Sequence, residues 1–558
     1  MGFVGRFCCY AVCACAAFAR ADDARPLYEQ IDAVVERRLA ELQIEPAAMC
    51  DDAEFVRRVY LDLNGVIPTA DEARAFLDDP TLDKRARLID RLLARPDYAL
   101  HMSRVFDVML TERRLPTTKS YDVPTAAWRA YLAEAIADNR PWNQIAREII
   151  SGEGKDPKHG SAVKFYLVRD VDPHQLTRDV GRLFLGVDLQ CAQCHDDPRI
   201  EEYLQADYYG LYAFLQRVKV HPTSPRGALV AEAADGKTTF TSVFTAMSGE
   251  TNPRLPGDEM IADPKLEKGK EYVVKPGAKE PSVPVYSRRK QLAERLPRSE
   301  TPGFSRNIAN RMWAYLFGRG IVHPLDLHHA GNPPSHPELL DLLARWLVEH
   351  EYDLTALLRE FALSRTYQHA SRLPDDDGVP PAEAFAVARL RGLTPEQLRW
   401  SVLQATGLLE LQAEASAMSN SPAAAASALD WKAKAAALEA LDRRTADLVT
   451  AFSGLPGQSD GDFQPVVDQA LFLLNSPQFT SLLAEAPGTR LARLMSTVKV
   501  ETLAEDLYLG LFARRPASDE IEDVRVALTT AKSAPQRREA LQALMRGLLL
   551  SAEFRLNH

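Results

Sequence analysis

The stretch YLDLNGVIPTADE, residues 60–72, decides the fold because it holds a helix end, a turn and a helix start. Apolar residues at three- and four-residue spacing predict a helix over 54–63, and the capping box Thr69-Ala70-Asp71-Glu72 predicts the start of the next. The pattern returns without a gap as YLGLFARRPASDE, residues 508–520. Because the repeat keeps turn residues as well as apolar ones, it predicts a similar helix–turn–helix unit near each end of the chain. Convergence of separate amphipathic helices is the alternative.

Helical periodicity extends outward from these units over most of the chain. It covers residues 27–217, resumes at about Gly303, and includes an Ala-rich stretch at 423–448 that predicts a long exposed helix. The capping boxes Ser335-His336-Pro337-Glu338 and Thr394-Pro395-Glu396-Gln397 predict two more helix starts. The predicted fold class is therefore mainly α.

Residues 221–286 interrupt the helical pattern. Pro, Gly, Thr and Val dominate there, with short alternating runs at 238–244 and 271–275 that predict a few strands. We therefore predict two helical domains, 22–220 and 287–558, joined by an irregular segment with a few short strands.

Residues 1–21 have the pattern of a signal peptide. Arg6 precedes an apolar run over 7–18, and Ala19-Arg20-Ala21 fits a small-x-small cleavage site. That run is too short to span a bilayer comfortably, and no later segment reaches spanning length. We therefore predict Sec-type export to the periplasm or the cell surface, with lipidation of a cysteine in the signal region as the alternative.

Charge and cysteine content restrict the class of protein. The formal net charge is -10, and loss of the two arginines of the signal moves it to -12. An acidic chain gives no reason to expect nucleic acid or an anionic membrane surface as a partner. Of seven cysteines, only Cys50, Cys191 and Cys194 remain after signal cleavage, so the protein is not a disulfide-stapled scaffold.

The segment Cys191-Ala192-Gln193-Cys194-His195 is the c-type haem attachment pattern. Two thiols one turn apart can each bond a vinyl group of haem, and the adjacent imidazole can bind the iron as the proximal ligand. One alternative is a disulfide or thiol pair that closes the turn. Another is a metal site, although zinc normally needs four ligands and the mature chain has no second Cys pair.

The sixth iron ligand is not fixed by the sequence. Met247, Met260 and His336 are the candidates, and an open sixth position would suit peroxide chemistry instead. Histidines 323, 328, 329 and 336 form the densest histidine group, which we expect to consist of loop and capping residues. We expect His174 to be a surface histidine and Cys50 to be a buried, inert thiol.

Several longer stretches resemble a known pair of families. FVRRVYLDLNG at 55–65, LFLGV at 183–187 leading into the haem pattern, and YYG at 208–210 resemble the planctomycete cytochrome-like domain of unknown function (DUF1549 type). Its usual downstream partner, the planctomycete DUF1553-type domain, is resembled by NRMW at 310–313, FGRG at 317–320, NPPSHPELL at 332–340, SRTY at 364–367 and the closing residues 551–558. The resemblance covers nearly all of the mature chain and implies cytochrome-like features, but it assigns no biochemical role.

One departure from the family pattern matters. Relatives usually continue the motif as Cys-His-Asp-His-Pro, whereas His195 is followed here by Asp196-Asp197-Pro198. A second histidine is therefore missing. Its loss removes a ligand or proton carrier if relatives use it so, and is harmless if it only caps or packs.

These observations lead to a first functional prediction with two alternatives. We expect an exported protein with haem c at Cys191, Cys194 and His195 that transfers electrons to a redox partner not specified by the sequence. The alternatives are a non-catalytic module that binds a partner or an extracellular glycan, with a Cys191–Cys194 disulfide, and a haem enzyme acting on peroxide or a glycan. A crevice for a porphyrin beside His195 would favour haem, and tight packing of Tyr208 and Phe214 would argue against it.

Overall fold

The structure is a computed structural model that describes residues 25–118, 121–222, 228–277, 279–372, 378–412, 431–456 and 467–558. The predicted signal peptide, residues 1–21, lies outside these residues. Within the described part of the chain, no helix has the length and apolar character needed to cross a membrane.

The chain is mainly α-helical, as predicted. The helices that precede the strands are α1 Leu27–Leu42, α2 Asp52–Asn64, α3 Ala70–Asp78, α4 Lys84–Leu93, α5 Pro96–Thr111, α6 Thr125–Ala137, α7 Trp142–Ser151, α8 Lys164–Leu167, α9 Pro173–Val180 and α10 Gln205–Leu215. A 3₁₀ turn spans Gly160–Val163, a π-helical turn spans Gly181–Leu185 and another 3₁₀ turn spans Cys191–Gln193.

Three antiparallel hairpins follow, which confirms the predicted change of pattern in this segment. Their strands are β1 Val218–Pro222 with β2 Ala228–Glu232, β3 Thr238–Thr241 with β4 Ser248–Thr251, and β5 Tyr272–Val274 with β6 Val283–Pro284. Each pair forms a separate two-stranded sheet, so the strands build no shared sheet.

Helices then continue to the end of the chain. They are α11 Arg288–Arg295, α12 Pro302–Phe317, α13 Pro337–Glu349, α14 Leu354–Leu363, α15 Pro395–Ala405, α16 Trp431–Arg444, α17 Ala446–Phe452, α18 Val467–Asn475, α19 Pro477–Leu482, α20 Arg490–Ser496, α21 Val500–Phe512, α22 Ser518–Thr529, α23 Ala534–Leu550 and α24 Ala552–Arg555. A 3₁₀ turn at Ala382–Ala384 precedes β7 Arg391–Gly392, which pairs with the terminal strand β8 Leu556–Asn557.

The repeated sequence folds into the same helix–turn–helix unit twice. Helix α2 ends at Gly65 and α21 ends at Ala513, both with positive φ, and α3 begins with the predicted capping box between Thr69 and Glu72. In the second unit Glu520 accepts a hydrogen bond from the Ala517 amide at 2.7 Å. Helix α3 packs against α21, so the two units touch each other.

Two predictions about helices were wrong in detail. Ser335 does not cap α13, because its hydroxyl bonds to the Ile321 carbonyl at 3.2 Å, and Glu338 instead pairs with Arg37. The Ala-rich stretch is not one exposed helix in its described part, since a break at Thr445 separates α16 from α17. The leucines of these two helices are buried, which explains why the stretch packs rather than projecting into solvent.

Two hydrophobic cores hold the molecule together. The first is built by residues from both sides of the hairpin segment, including Phe55, Phe184 and Trp313. The second is built mainly by α15 to α24, and Leu61 and Leu100 from the first part of the chain join it. The N-terminal helices therefore pack into both cores.

A buried polar cluster, which we call the Asp62 junction, connects distant parts of the chain. It consists of Asp62, Tyr315, Tyr367, Arg391 and Asn557. The Asp62 carboxylate is fully buried and accepts hydrogen bonds from Tyr367, Arg391 and Asn557, each at 2.8 Å. The Tyr315 hydroxyl donates to the Asp62 carbonyl. These contacts satisfy a charge that would be costly to bury alone.

A second buried group extends this connection to the last residues. The guanidinium of Arg57, on the same helix as Asp62, donates to the carbonyls of Leu511 at 2.9 Å and Phe554 at 2.7 Å. The end of the chain is therefore fixed against α2 by main-chain acceptors.

Candidate functional site

The segment that leads into the cysteine motif is held by helix α12. The π-helical turn Gly181–Leu185 follows α9, and the side chain of Asn307 donates to the Leu183 carbonyl at 2.7 Å. Arg311 donates to the Arg182 carbonyl at 2.8 Å. The motif is thus positioned by side chains from the second half of the chain.

A buried charge cluster around Asp179 holds helix α9, which leads into the same segment. Asp179 accepts from Arg169 at 2.7 Å, from Arg114 at 2.8 Å and from Arg182 at 2.9 Å. Burial alone would raise the pKa of Asp179, but the three arginines outweigh it and lower that pKa to about 2. The carboxylate is therefore charged at neutral pH and holds α9 in place.

Gly186 allows the chain to turn into the motif. Its φ is +75°, and a Cβ at this position would lie 2.7 Å from Cδ2 of His328. The loop after α12 lies alongside, where Val187 and Leu327 form an isolated antiparallel bridge and the Asp188 amide bonds to the Asp326 carbonyl at 2.9 Å. Only glycine fits this left-handed position without moving the histidine.

The motif itself forms a tight turn with its thiols outside. Cys191–Gln193 is a 3₁₀ turn whose Ala192 is fully buried in a small cluster with Tyr203 and Tyr208. Cys191 and Cys194 are both exposed, and both are free thiols in this structure. The alanine anchors the turn, and the flanking sulfurs face solvent.

His195 has one ring nitrogen engaged and one available. Nδ1 lies 2.6 Å from the Asp196 carbonyl oxygen, which can only accept, so Nδ1 carries the proton. In the neutral ring, Nε2 then keeps its lone pair. The ring packs against Phe244 with centroids 4.2 Å apart. A backbone acceptor on Nδ1 is the arrangement that orients metal-binding histidines.

The turn between β3 and β4 covers the motif. The Val243 amide donates to the Cys194 carbonyl at 3.0 Å, and Phe244 packs on His195 as described. Val243, Phe244 and Met247 are nevertheless exposed to solvent. We call these three side chains the hairpin tip.

The structure separates the three predicted sixth ligands. Met247 belongs to the hairpin tip, and its side chain is exposed. Met260 is also exposed, and its sulfur accepts a hydrogen bond from Thr251 at 3.6 Å. His336 is buried, and its contacts are with Ser335 and Phe385 rather than with the motif. Burial lowers the pKa of His336 to about 4.

Asp197 stands where relatives usually have a second histidine, and its side chain caps the loop that follows. The Asp197 carboxylate accepts from the amides of Arg199 at 2.8 Å and Ile200 at 3.0 Å. Partial burial, followed by the charge of Asp197, raises the pKa of the Cys191 thiol. A thiol with a raised pKa lacks the thiolate character of reactive or zinc-binding cysteines.

The side of the motif that faces the protein is filled. Tyr208 and Phe214 of α10 are fully buried, which is the packing expected to argue against a haem in that space. A porphyrin has no room between the turn and α10.

Sequence reasoning missed His174, which is not a free surface histidine. Its Nδ1 lies 2.8 Å from the Tyr208 hydroxyl, and its ring stacks on Tyr212 with centroids 4.5 Å apart. The i, i+4 spacing of the two tyrosines on α10 was a signal for one shared face. Cys50 is buried, as expected, and burial raises the pKa of its thiol.

The histidine group of the α12–α13 loop is divided. His328 packs against Gly186, and the His329 ring lies 5.8 Å from that of Tyr203, so both support the motif segment. Within the described ranges, no group of three or more His, Cys, Asp or Glu side chains could hold a metal ion. The described residues therefore give the metal-site alternative no support.

Comparison with known families gives two matches. Residues 30–220 match the model "PSCyt2: Protein of unknown function (DUF1549)", and residues 288–528 match "PSD1: Protein of unknown function (DUF1553)". No curated protein and no solved structure matches the chain.

Proposed function

We propose that this chain, which belongs to the DUF1549 and DUF1553 families in that order, is an exported c-type haem protein that transfers electrons. Cys191 and Cys194 would hold the macrocycle through thioether bonds, each formed when an S–H adds across a vinyl group. His195 would bind the iron as proximal ligand. The haem would supply one-electron redox chemistry, and the protein would set its potential through the distal side and burial.

The proposal rests mainly on the exposure of the two free thiols at the motif turn. Two thiols are exposed and unpaired on one 3₁₀ turn, and the next residue is an imidazole. A structural cysteine pair would be buried or joined, whereas attachment to a macrocycle requires both sulfurs to be reachable from outside. The turn meets that requirement.

The donor chemistry of His195 also fits. Its Nδ1 proton is engaged by the Asp196 carbonyl, which fixes the tautomer and leaves Nε2 as the ligand atom. Phe244 restrains the ring from one side. The protein thus orients the imidazole before any metal is bound.

The hairpin tip supplies an apolar wall on the outer side. Burial of an apolar macrocycle against Val243, Phe244 and Met247 would remove exposed apolar surface from water. It would also exclude water from one side of the iron. Electrons would then pass to a redox partner from the solvent-exposed edge.

The test is production of the full chain in a host with working cytochrome maturation. We expect a Soret band, a mass increment of one haem, and colour that survives acid-acetone extraction. Cys191→Ala with Cys194→Ala should lose the covalent label, and the matched control Cys50→Ala should keep it because Cys50 is buried away from the motif.

Other outcomes decide between the alternatives. A colourless product of unmodified mass overturns the proposal, and a loss of two mass units would favour the disulfide-bonded binding module. Carbon monoxide binding to the reduced iron would identify an open, enzyme-like position instead of a closed electron carrier. Recovery of the product from the periplasm or cell surface tests the export assigned to residues 1–21.

A further inference from the structure

The guanidinium of Arg104 has no hydrogen-bond or ion-pair partner among the described residues, although the surrounding region is rich in charges. Arg104 lies on α5, half-buried, with its Cζ 4.6 Å from the ring centroid of Trp400. Arg399 lies against the same indole at 4.5 Å. Among the described residues, Arg104 donates no hydrogen bond and forms no ion pair.

The neighbouring arginines are all paired. Arg399 contacts Asp442 at 2.5 Å, and Arg129 contacts Asp107 at 2.7 Å. Arg113 binds both carboxylate oxygens of Glu396, at 2.7 and 2.9 Å. Four guanidiniums therefore share three carboxylates, and the positive charge left over is that of Arg104.

Burial and the charge of Arg399 lower the pKa of Arg104 to about 9, so the charged form of this side chain is less stable here than in water. The Nε1 of Trp400 is buried and also lacks an acceptor. Among the described residues, neither Arg104 nor the Trp400 indole donates a hydrogen bond, and the nearby Asp442 Oδ1 lies against Arg399 instead. Buried arginines elsewhere in this chain, such as Arg57 and Arg169, donate to several acceptors each.

We propose that the group formed by Arg104, Trp400 and Arg399 binds a small oxyanion, the carboxylate or sulfate group of a ligand. An oxyanion would accept from the Arg104 guanidinium and the indole N–H and would cancel the unpaired charge. Because Arg104 is only half-buried, its guanidinium can be reached from solvent. The site lies on α5 and α15, is built without the cysteine motif and does not depend on haem.

The experiment is thermal unfolding of the full chain with sodium sulfate, sodium phosphate or sodium acetate, each compared with sodium chloride at equal ionic strength. Saturation at ten times Kd should raise Tm by roughly 2 °C. Sulfate also stabilises proteins non-specifically, so the readout is the difference between variants. A response to acetate as well as sulfate identifies a carboxylate-type ligand, and a response to sulfate and phosphate alone identifies a tetrahedral one.

Arg104→Gln should abolish the saturable rise and change Tm in chloride only slightly, because the arginine makes no hydrogen bond or ion pair among the described residues and would lose only its contact with the Trp400 ring. Arg37→Gln is the matched control, since Arg37 is exposed and loses the same charge. Equal responses of Arg104→Gln and Arg37→Gln overturn the proposal. So does a large fall in Tm of Arg104→Gln in chloride, which would show a structural role. If Arg104→Gln does not fold, Arg104→Lys is used in its place. A rise in Tm with anion that is as large in Arg104→Lys as in the unsubstituted chain would also contradict a site that depends on the guanidinium.

Discussion

The Asp62 junction and the cysteine turn use polar groups in opposite ways. At the junction, each carboxylate oxygen of Asp62 is buried and bonded to side chains from distant segments. At the turn, Cys191 and Cys194 are exposed free thiols, and the only hydrogen bond that the His195 ring makes among the described residues is that of Nδ1 to the Asp196 carbonyl. Groups that are saturated by the protein hold its structure, and groups that are presented unsaturated are available for a ligand.

The largest effect should come from breaking the junction. Asp62→Ala would leave Arg391 and Asn557 buried without their acceptor, at a cost of about 3–5 kcal/mol in the free energy of unfolding. Denaturant unfolding measures this cost. The control Asp71→Ala removes an exposed pair with Arg74 and should change stability by less than about 1 kcal/mol. A loss below about 1 kcal/mol for Asp62→Ala would contradict the structural role of the junction.

Gly65→Ala should cause the next largest loss in the free energy of unfolding. Gly65 has a φ of +69°, and a Cβ there would lie 2.1 Å from Nδ1 of His101, whose Nε2 contacts the Tyr315 hydroxyl at 2.7 Å. Backbone strain and overpacking together should cost roughly 2–4 kcal/mol. The same unfolding measurement applies, with Gly547→Ala as control because open space surrounds that glycine. Equal behaviour of the two variants would show that the turn tolerates a side chain.

Acid should lower the free energy of unfolding through the buried His336. The folded-state pKa of His336 is lowered by burial to about 4, below the unfolded value of about 6.5. The folded state therefore binds fewer protons, and the stability contribution is present above pH 6.5 and lost as pH falls toward 4. The expected loss from this residue is roughly 2 kcal/mol between pH 8 and pH 5.

His336→Gln should flatten the fall of unfolding free energy between pH 6.5 and pH 4, measured by denaturant unfolding at each pH. The slope, rather than the absolute stability, is compared with that of the original chain. An unchanged slope would mean that His336 titrates freely in the folded protein.

The smallest effect on stability should come from the turn. Cys191→Ala and Cys194→Ala remove exposed thiols and should shift the free energy of unfolding of the haem-free protein by less than about 0.5 kcal/mol. A cost above about 2 kcal/mol, seen in denaturant unfolding, would place the cysteines among the groups that hold the fold and remove the contrast with the junction.

The sequence predicted local structure well because local rules decide it. The helix predicted over 54–63 is found at Asp52–Asn64, and the capping boxes at Thr69 and Thr394 formed as expected. The box at Ser335 failed because the Ile321 carbonyl, from a different turn, competed for the serine hydroxyl. Local patterns do not reveal such competition.

The site could be predicted only in part for the same reason. The cysteine spacing predicted Cys191, Cys194 and His195 as site residues, which stays a prediction, and the packing of Phe244 on His195 depends on a hairpin that contacts the motif in space. The Tyr208 partner of His174 is 34 positions away, and the Asn557 partner of Asp62 is 495 positions away. No periodicity relates such residues. The haem, the redox partner and the export route stay predictions.

The attachment of the last residues to α2 has a consequence for biosynthesis. Arg57 and Asp62 leave the ribosome early, but the carbonyl of Phe554 and the side chain of Asn557 are made only at the end. A nascent chain that packed its first core at once would bury these two charges before their partners existed. A chain cut before residue 553 would keep the Leu511 carbonyl for Arg57 and the side chains of Tyr367 and Arg391 for Asp62, but it would lack the Phe554 carbonyl and the Asn557 amide. Both buried charges therefore reach their full set of hydrogen bonds only when the C-terminal residues have been made.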